Sequence, residues 1–218
     1  MKLDGVIFDL DGTLGDTLPV CFAAFRRAMK GYSSRHFTDG EIAALFGPSE
    51  EGIIQRLVPD RWEECLETYL AVYAEESAGH ARLFPGIGTA LLLLRERGMA
   101  LAIVTGKGAR SAAISLRDLG LAEHFDMVET GSPVGGIKPQ AIRSVLTKWD
   151  AMPHRVAYVG DAPSDIEAAR EAGVIPLGAA WAPTSSVQEL SVLAPLETFR
   201  SVESFIRWIE AEVEPNRP

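Results

Sequence analysis

Cysteine is scarce in this chain. Its two cysteines, Cys21 and Cys65, form no C-x-x-C pair and fall at no His/Cys ligand spacing. That argues against zinc and gives a disulfide no support. The four histidines, His36, His80, His124 and His154, are scattered without an H-x-x-x-H pair and read as surface or structural residues. Positive charge is short as well: 21 Lys and Arg against 30 Asp and Glu leave a net charge of −9. With no basic stripe to offset it, a nucleic-acid partner is not expected. No apolar run approaches the ~20 residues that span a bilayer, so no membrane partner is expected either. The first strand pattern begins at Gly5, which leaves no room for a signal peptide and makes the cytoplasm the expected location.

What is present is an ordinary globular composition, 47% hydrophobic and 23% charged over 218 residues. That length suits one domain, or one domain carrying an insert. Apolar strand patterns lie at 5–9, 100–104, 126–129, 156–160 and 174–178. Helical spacing covers 87–97, 109–119, 139–149, 164–172 and 201–212, and Gly98, Gly120 and Gly173 close three of these. Short buried strands alternating with helices predict an α/β fold with a parallel sheet covered on both faces. Residues 16–83 break the alternation and show helices only. The first covers 17–30; Thr38 and Glu41 have capping-box spacing for a second. Ser49 is placed to cap a third helix and Asp60 a fourth. Trp62, Cys65, Leu66, Tyr69 and Tyr73 share one face of that fourth helix and read as core packing. The expected division is therefore a core of residues 1–15 and 84–218 and a helical insert of residues 16–83.

The chemistry gathers at strand ends, where open parallel sheets bind ligands. The first strand runs into Asp9-Leu10-Asp11-Gly12-Thr13, the second into Thr105-Gly106-Lys107, and the third leads through a Gly-rich loop to Lys138-Pro139. The fourth runs into Gly160-Asp161-Ala162-Pro163-Ser164-Asp165. Side chains at i and i+2 of an extended segment share a direction, so Asp9 and Asp11 are expected to face one spot. Four carboxylates at one rim repel each other by about 4 kcal/mol per pair at 4 Å and an effective dielectric of 20. A divalent cation relieves this, and oxygen-only ligands select hard Mg²⁺. With Lys138, the Thr105 hydroxyl and backbone N–H groups near Asp11, Gly12 and Gly106, the set can hold a phosphate dianion. Thr105-Gly106-Lys107 is no P-loop tail, because Leu101 and Gly108 occupy positions that need Gly and Ser/Thr.

These motifs, DLDGT at 9–13, Thr105, Lys138-Pro139 and GDAPSD at 160–165, resemble in order those of the haloacid dehalogenase superfamily of phosphohydrolases. The helical insert resembles the C1 cap of its phosphoglycolate phosphatase-like branch. The resemblance implies a Rossmann-like sheet of order 5-4-1-2-3 with an inserted helical cap. It implies that Asp9 is a nucleophile forming an aspartyl-phosphate and that Asp11 is the general acid and base. It further implies that Thr105 and Lys138 bind the phosphoryl group. Mg²⁺ would be held by Asp9, the Asp11 backbone carbonyl and Asp161, with Asp165 in support. Asp11 favours phosphate over halide chemistry, because the dehalogenases that name the superfamily lack an acid there. Gly106 departs from the Asn that many relatives carry after motif two.

The expected activity is thus Mg²⁺-dependent hydrolysis of a small phosphorylated metabolite. A phosphomutase of the β-phosphoglucomutase type, returning the phosphoryl group to a sugar hydroxyl, and a non-catalytic phosphate-binding module are the alternatives. Monomer and dimer both fit. Specificity is expected from the cap loop around Ser49 and Glu50. If Glu50 or Glu51 points inward, a second anionic group on the substrate is disfavoured. In the simpler arrangement both glutamates only complement a helix N-terminus.

Overall fold

Val6, Ile7 and Phe8 have no exposed surface, because their strand is paired on both edges and covered on both faces. In the computed structural model, which describes residues 1–216, six parallel strands form one sheet. They are β1 (Gly5–Phe8), β2 (Ala100–Val104), β3 (Met127–Glu129), β4 (Val156–Gly160), β5 (Ile175–Ala179) and β6 (Glu197–Phe199), in the order β3-β2-β1-β4-β5-β6. This is the expected 5-4-1-2-3 order with one strand added at the edge. The helices are α1 (Leu18–Met29), α2 (Asp39–Ala43), α3 (Glu50–Leu57), α4 (Trp62–His80) and α5 (Ile87–Glu96). They continue with α6 (Ala109–Asp118), α7 (Lys138–Trp149), α8 (Pro163–Ala172), α9 (Val187–Val192) and α10 (Val202–Glu212).

Alternation along β1 divides the core. Val6 and Phe8 pack with Leu91 and Leu94 of α5 and Phe205 and Ile209 of α10. Ile7 faces the other way, onto Ile142 and Val145 of α7, Ala169 of α8 and Tyr158 of β4. Register then fixes the rim. Phe8 pairs with Ile103 and with Val159, so Asp9 is level with Val104 and Gly160, and Thr105 and Asp161 follow one step beyond. Residues remote in sequence meet because three parallel strands end together.

Helices α1 to α4 pack around a separate apolar cluster that includes Phe22, Phe25, Ile54, Cys65, Tyr69 and Tyr73. The Thr38–Glu41 capping box forms. Asp60, however, caps nothing; it lies in a 3₁₀ turn, Pro59–Arg61, and α4 starts at Trp62 with Arg61 at its N-cap. The start of α3 rests on the β3–α7 loop. Ser49 N–H donates to the Ser132 carbonyl at 2.9 Å. Gly52 approaches that loop so closely that a Cβ would lie 1.9 Å from the Pro133 oxygen.

The unexpected elements are α9 and β6. β6 has three residues, of which only Phe199 is buried, so it carries too little periodicity to be read as a strand. Among the described residues, no helix is long and apolar enough to cross a membrane.

Candidate active site

Asp9 immediately follows β1 and donates its N–H to the Val159 carbonyl at 2.9 Å. Its side chain is buried and lies with those of Asp161 and Asp165, each offering an oxygen within 4.8 Å of the others. Two glycines make room for this crowding. A Cβ on Gly12, at φ +80°, would sit 2.2 Å from Asp161 Oδ2, and one on Gly160 would sit 2.4 Å from Asp165 Cβ. Thr13 Oγ1 donates to Asp161 Oδ1 at 3.3 Å, and the Thr13 carbonyl is braced by Trp181 Nε1 at 2.9 Å.

Asp165 is fully buried and its oxygens are committed. Oδ2 accepts the Ala162 N–H at 3.0 Å, closing the first turn of α8. Oδ1 accepts from Lys138 Nζ at 2.5 Å. The Tyr158 hydroxyl shares its proton between the Val104 carbonyl at 2.9 Å and Asp165 Oδ1 at 3.2 Å. Lys138, the first residue of α7, also reaches Asp9 Oδ1 at 3.0 Å. Gly106 lies beneath the lysine stem, 4.0 Å from Lys138 Cε at its missing Cβ, with Gly131 packed on its carbonyl. Thr105 is buried, and its hydroxyl accepts the Lys107 N–H at 3.3 Å.

One ammonium therefore contacts two of the three clustered carboxylates, Asp9 and Asp165, while Asp161 accepts from the Thr13 hydroxyl. Burial pushes the Asp9 carboxyl up to about 7, with Asp165 and Asp11 adding to the rise and Lys138 opposing it. Burial, then Asp165 and Asp9, push Asp161 well above the usual carboxylate range. Burial alone would lower the Lys138 pKa, yet Asp165 and Asp9 hold it well above the ordinary lysine value. An all-oxygen donor set short of positive charge fits a hard divalent cation such as Mg²⁺, and Asp9 Oδ1 lacks a well-aligned hydrogen bond despite its ion pair.

A pH-dependent response to metal follows. Without metal, the folded chain holds the Asp9 proton up to about 7, whereas the unfolded chain releases it near 3.8. The folded state binds more protons in that window, so its stability falls as pH rises from 3.8 to 7. Mg²⁺ at saturating concentration is expected to raise Tm by about 5 °C or more at pH 8. At pH 5, where protons already neutralise the cluster, the gain should be much smaller. Thermal unfolding in EDTA against Mg²⁺ at both pH values measures this; equal gains, or none, would reject a carboxylate metal site.

Asp11 does not join the cluster. β1 ends at Phe8, and the chain then turns, with Leu14 N–H and Gly15 N–H both donating to the Leu10 carbonyl. The alternation expected of an extended segment no longer applies, so three carboxylates converge instead of four. Asp11 Oδ1 accepts from Thr17 Oγ1 at 2.5 Å and lies 3.7 Å from Cys21 Sγ, while Oδ2 lies 3.3 Å from Lys107 Nζ.

Glu50 is also placed differently. It is buried and serves a helix N-terminus, but that of α6: Oε2 accepts the N–H of Gly108, the α6 N-cap, at 2.5 Å, and Oε1 accepts from Ser111 Oγ. Ser49 stands at the N-cap of α3 without a side-chain capping bond. Among the described residues its Oγ and Glu51 Oε2 are buried without hydrogen-bond partners, and the Glu51 carboxylate packs against Gly108. Lys107, Cys21, Tyr73 and Tyr158 also line this region, and sequence pattern alone does not mark them as site residues. Only Lys107 carried a signal, its place two residues after Thr105 on a strand-to-helix loop.

Known proteins resemble this chain in sequence and fold. A family model for haloacid dehalogenase-like hydrolases matches residues 6–179. The chain is 31% identical over 180 residues to the tyrosine-protein kinase PtkA of Mycobacterium tuberculosis, covering 81% of this chain but only 62% of that protein. It is 30% identical over 199 residues to a phosphoglycolate phosphatase of Chromobacterium violaceum, covering 85% of this chain and 89% of the relative. The crystal structure of a predicted phosphoglycolate phosphatase from Haemophilus somnus superposes with a TM-score of 0.82 at 22% identity, over 95% of this chain and 98% of that one.

Proposed function

The chain belongs to the haloacid dehalogenase-like hydrolases, and on that premise we propose that it is a Mg²⁺-dependent phosphatase acting on a small phosphorylated metabolite in the cytoplasm. The observation that carries this reading is the convergence of Asp9, Asp161, Asp165 and Lys138 in one buried cluster at the sheet rim. Asp9 Oδ attacks phosphorus, forming an aspartyl-phosphate as the P–O bond to the leaving group breaks. Asp11 gives its proton to the departing oxygen, then takes one from the water that attacks the aspartyl-phosphate and frees Asp9 and inorganic phosphate. Lys138, the Thr105 hydroxyl and the N–H groups of Asp11 and Gly106 hold the phosphoryl oxygens; the Gly12 N–H, expected from sequence to join them, instead donates to the Gly15 carbonyl at 2.9 Å, because the chain turns there. Asp9, Asp161 and the Asp11 carbonyl would hold Mg²⁺, with Asp165 orienting Lys138 beside it; the ion supplies neutralising charge to the phosphoryl group.

In this reading residues 1–15 and 84–218 are the catalytic core and residues 16–83 a helical cap over it. The cap loop contributes specificity. Glu50 and Glu51 both lie at the start of α6 beside Gly108, three residues past Thr105, and their negative charge there favours a substrate bearing hydroxyl or amine groups over one with a second anionic group. A hydrolysis panel of 2-phosphoglycolate, pyrophosphate and sugar phosphates, run with Mg²⁺ and with EDTA, tests both parts. Turnover with Mg²⁺ alone and highest kcat/KM on sugar phosphates is the expected result. No turnover on any ester would leave only a phosphate-binding module. A preference for 2-phosphoglycolate would overturn the specificity argument while leaving the phosphatase intact.

A further inference from the structure

Lys107 is buried beside the cluster but belongs to none of its contacts. Its side chain is 3% exposed, and burying an ammonium is costly unless partners compensate. Those partners come from both layers. Asp11 Oδ2 lies 3.3 Å away on the core side. From the helical layer, Cys21 Sγ of α1 lies 3.3 Å away and the Tyr73 ring of α4 is centred 4.4 Å away. Ser115 Oγ donates to the Ser111 carbonyl at 3.1 Å, so the Tyr73 hydroxyl donates to Ser115 Oγ at 2.8 Å, and the ring is held with its face to the ammonium. Lys107 is therefore enclosed only where α1 and α4 lie against the loop after β2.

We propose that Lys107 is a positioning residue for Asp11, whose ammonium fixes the carboxylate's orientation from a seat completed by Cys21 and Tyr73 of the helical layer. The assignment rests on the proposed role of Asp11 as the acid that protonates the leaving oxygen. Through Lys107 the docking of the helical layer is communicated to that acid. An Asp11 free to rotate would meet the leaving group in fewer productive geometries, and misplacement on the order of 1 Å can cost about 10²-fold in rate.

Leaving-group dependence reads this directly. Phenyl phosphate needs a proton on its departing oxygen; 4-nitrophenyl phosphate, of nearly the same shape, stabilises its leaving anion through the nitro group. Lys107→Met is expected to lower kcat/KM for phenyl phosphate by about 30- to 100-fold and for 4-nitrophenyl phosphate by about tenfold less. Lys107→Arg should recover most of the loss. In an Asp11→Asn background, Lys107→Met should cost little more on phenyl phosphate, because the group it positions is gone. Equal losses on the two esters, no loss, or full additivity with Asp11→Asn would overturn the assignment. If Lys107→Met does not fold by circular dichroism, Cys21→Ala removes one wall of the seat and keeps the ammonium. It should show a smaller loss with the same preference for phenyl phosphate, and equal effects on both esters would overturn the assignment. Wild-type protein that cleaves neither ester would sink the phosphatase reading itself, a result distinct from any of these.

Discussion

Asp9→Asn is expected to abolish turnover and, without metal at pH 8, to make the protein harder to unfold. The first effect follows from removing the proposed nucleophile, which should lower kcat by about 10⁴-fold or more. The second follows from the environment of Asp9. Burial, with Asp165 and Asp11, pushes its carboxyl up to about 7 despite Lys138, so at pH 8 the folded state carries a charge that its surroundings oppose. For an acid raised on folding, the penalty is absent below about 3.8, grows through the window up to about 7 and is complete above it. Asn carries no charge, and Lys138 keeps its 2.5 Å contact with Asp165. The urea midpoint in EDTA should therefore rise in the variant at pH 8 and stay near wild type at pH 4. With Mg²⁺ the wild type should gain more than the variant, since the variant has lost a ligand oxygen's charge. Retained turnover would remove Asp9 as nucleophile; a lower midpoint at pH 8 would mean that the Lys138 pair outweighs desolvation.

That opposition between stability and chemistry was partly legible in the sequence. Apolar runs ending in Asp9, Thr105 and Asp161 located the rim, because a parallel sheet aligns its strand ends, as the pairing of Phe8 with Ile103 and Val159 does here. What lay beyond the last strand residue was harder to read. Asp11 turns away because the chain reverses at Leu10, and strand alternation cannot anticipate a turn two residues past Phe8. Glu50 has helix-start chemistry, but the helix it serves, α6, was invisible as its partner until α3 was seen lying against the β2–α6 loop. Lys107 illustrates the same limit. Its partners Cys21 and Tyr73 looked like core residues of separate helices, which they are, and only packing turned them into walls around an ammonium. Patterns along one element were readable; juxtapositions between the helical layer and the sheet were not.

Lys138→Met should separate charge balance from phosphate binding at the rim. The ammonium compensates Asp9 at 3.0 Å and Asp165 at 2.5 Å, and Asp165 is fully buried. Removing one partner of a buried ionic pair typically costs about 3–5 kcal/mol, because the remaining charge stays desolvated. The loss should be greatest at pH 8. Without the lysine, the Asp9 and Asp161 carboxyls rise further, the folded state binds still more protons than the unfolded state, and stability falls more steeply with pH. Urea unfolding at pH 5 and pH 8 measures that slope. Turnover should fall by about 10²- to 10³-fold, the usual effect of deleting one donor that stabilises transition-state charge. Mg²⁺ offers the decisive contrast, since a cation among Asp9, Asp161 and Asp165 can offset the missing positive charge for folding. It cannot replace the ammonium in its proposed role of holding the phosphoryl oxygens. Saturating Mg²⁺ should therefore recover much of the stability at pH 8 and little of kcat. If both recover together, Lys138 acts only as a counter-ion for the acids; if the variant matches wild-type stability at pH 8 in EDTA, the three carboxylates do not depend on it.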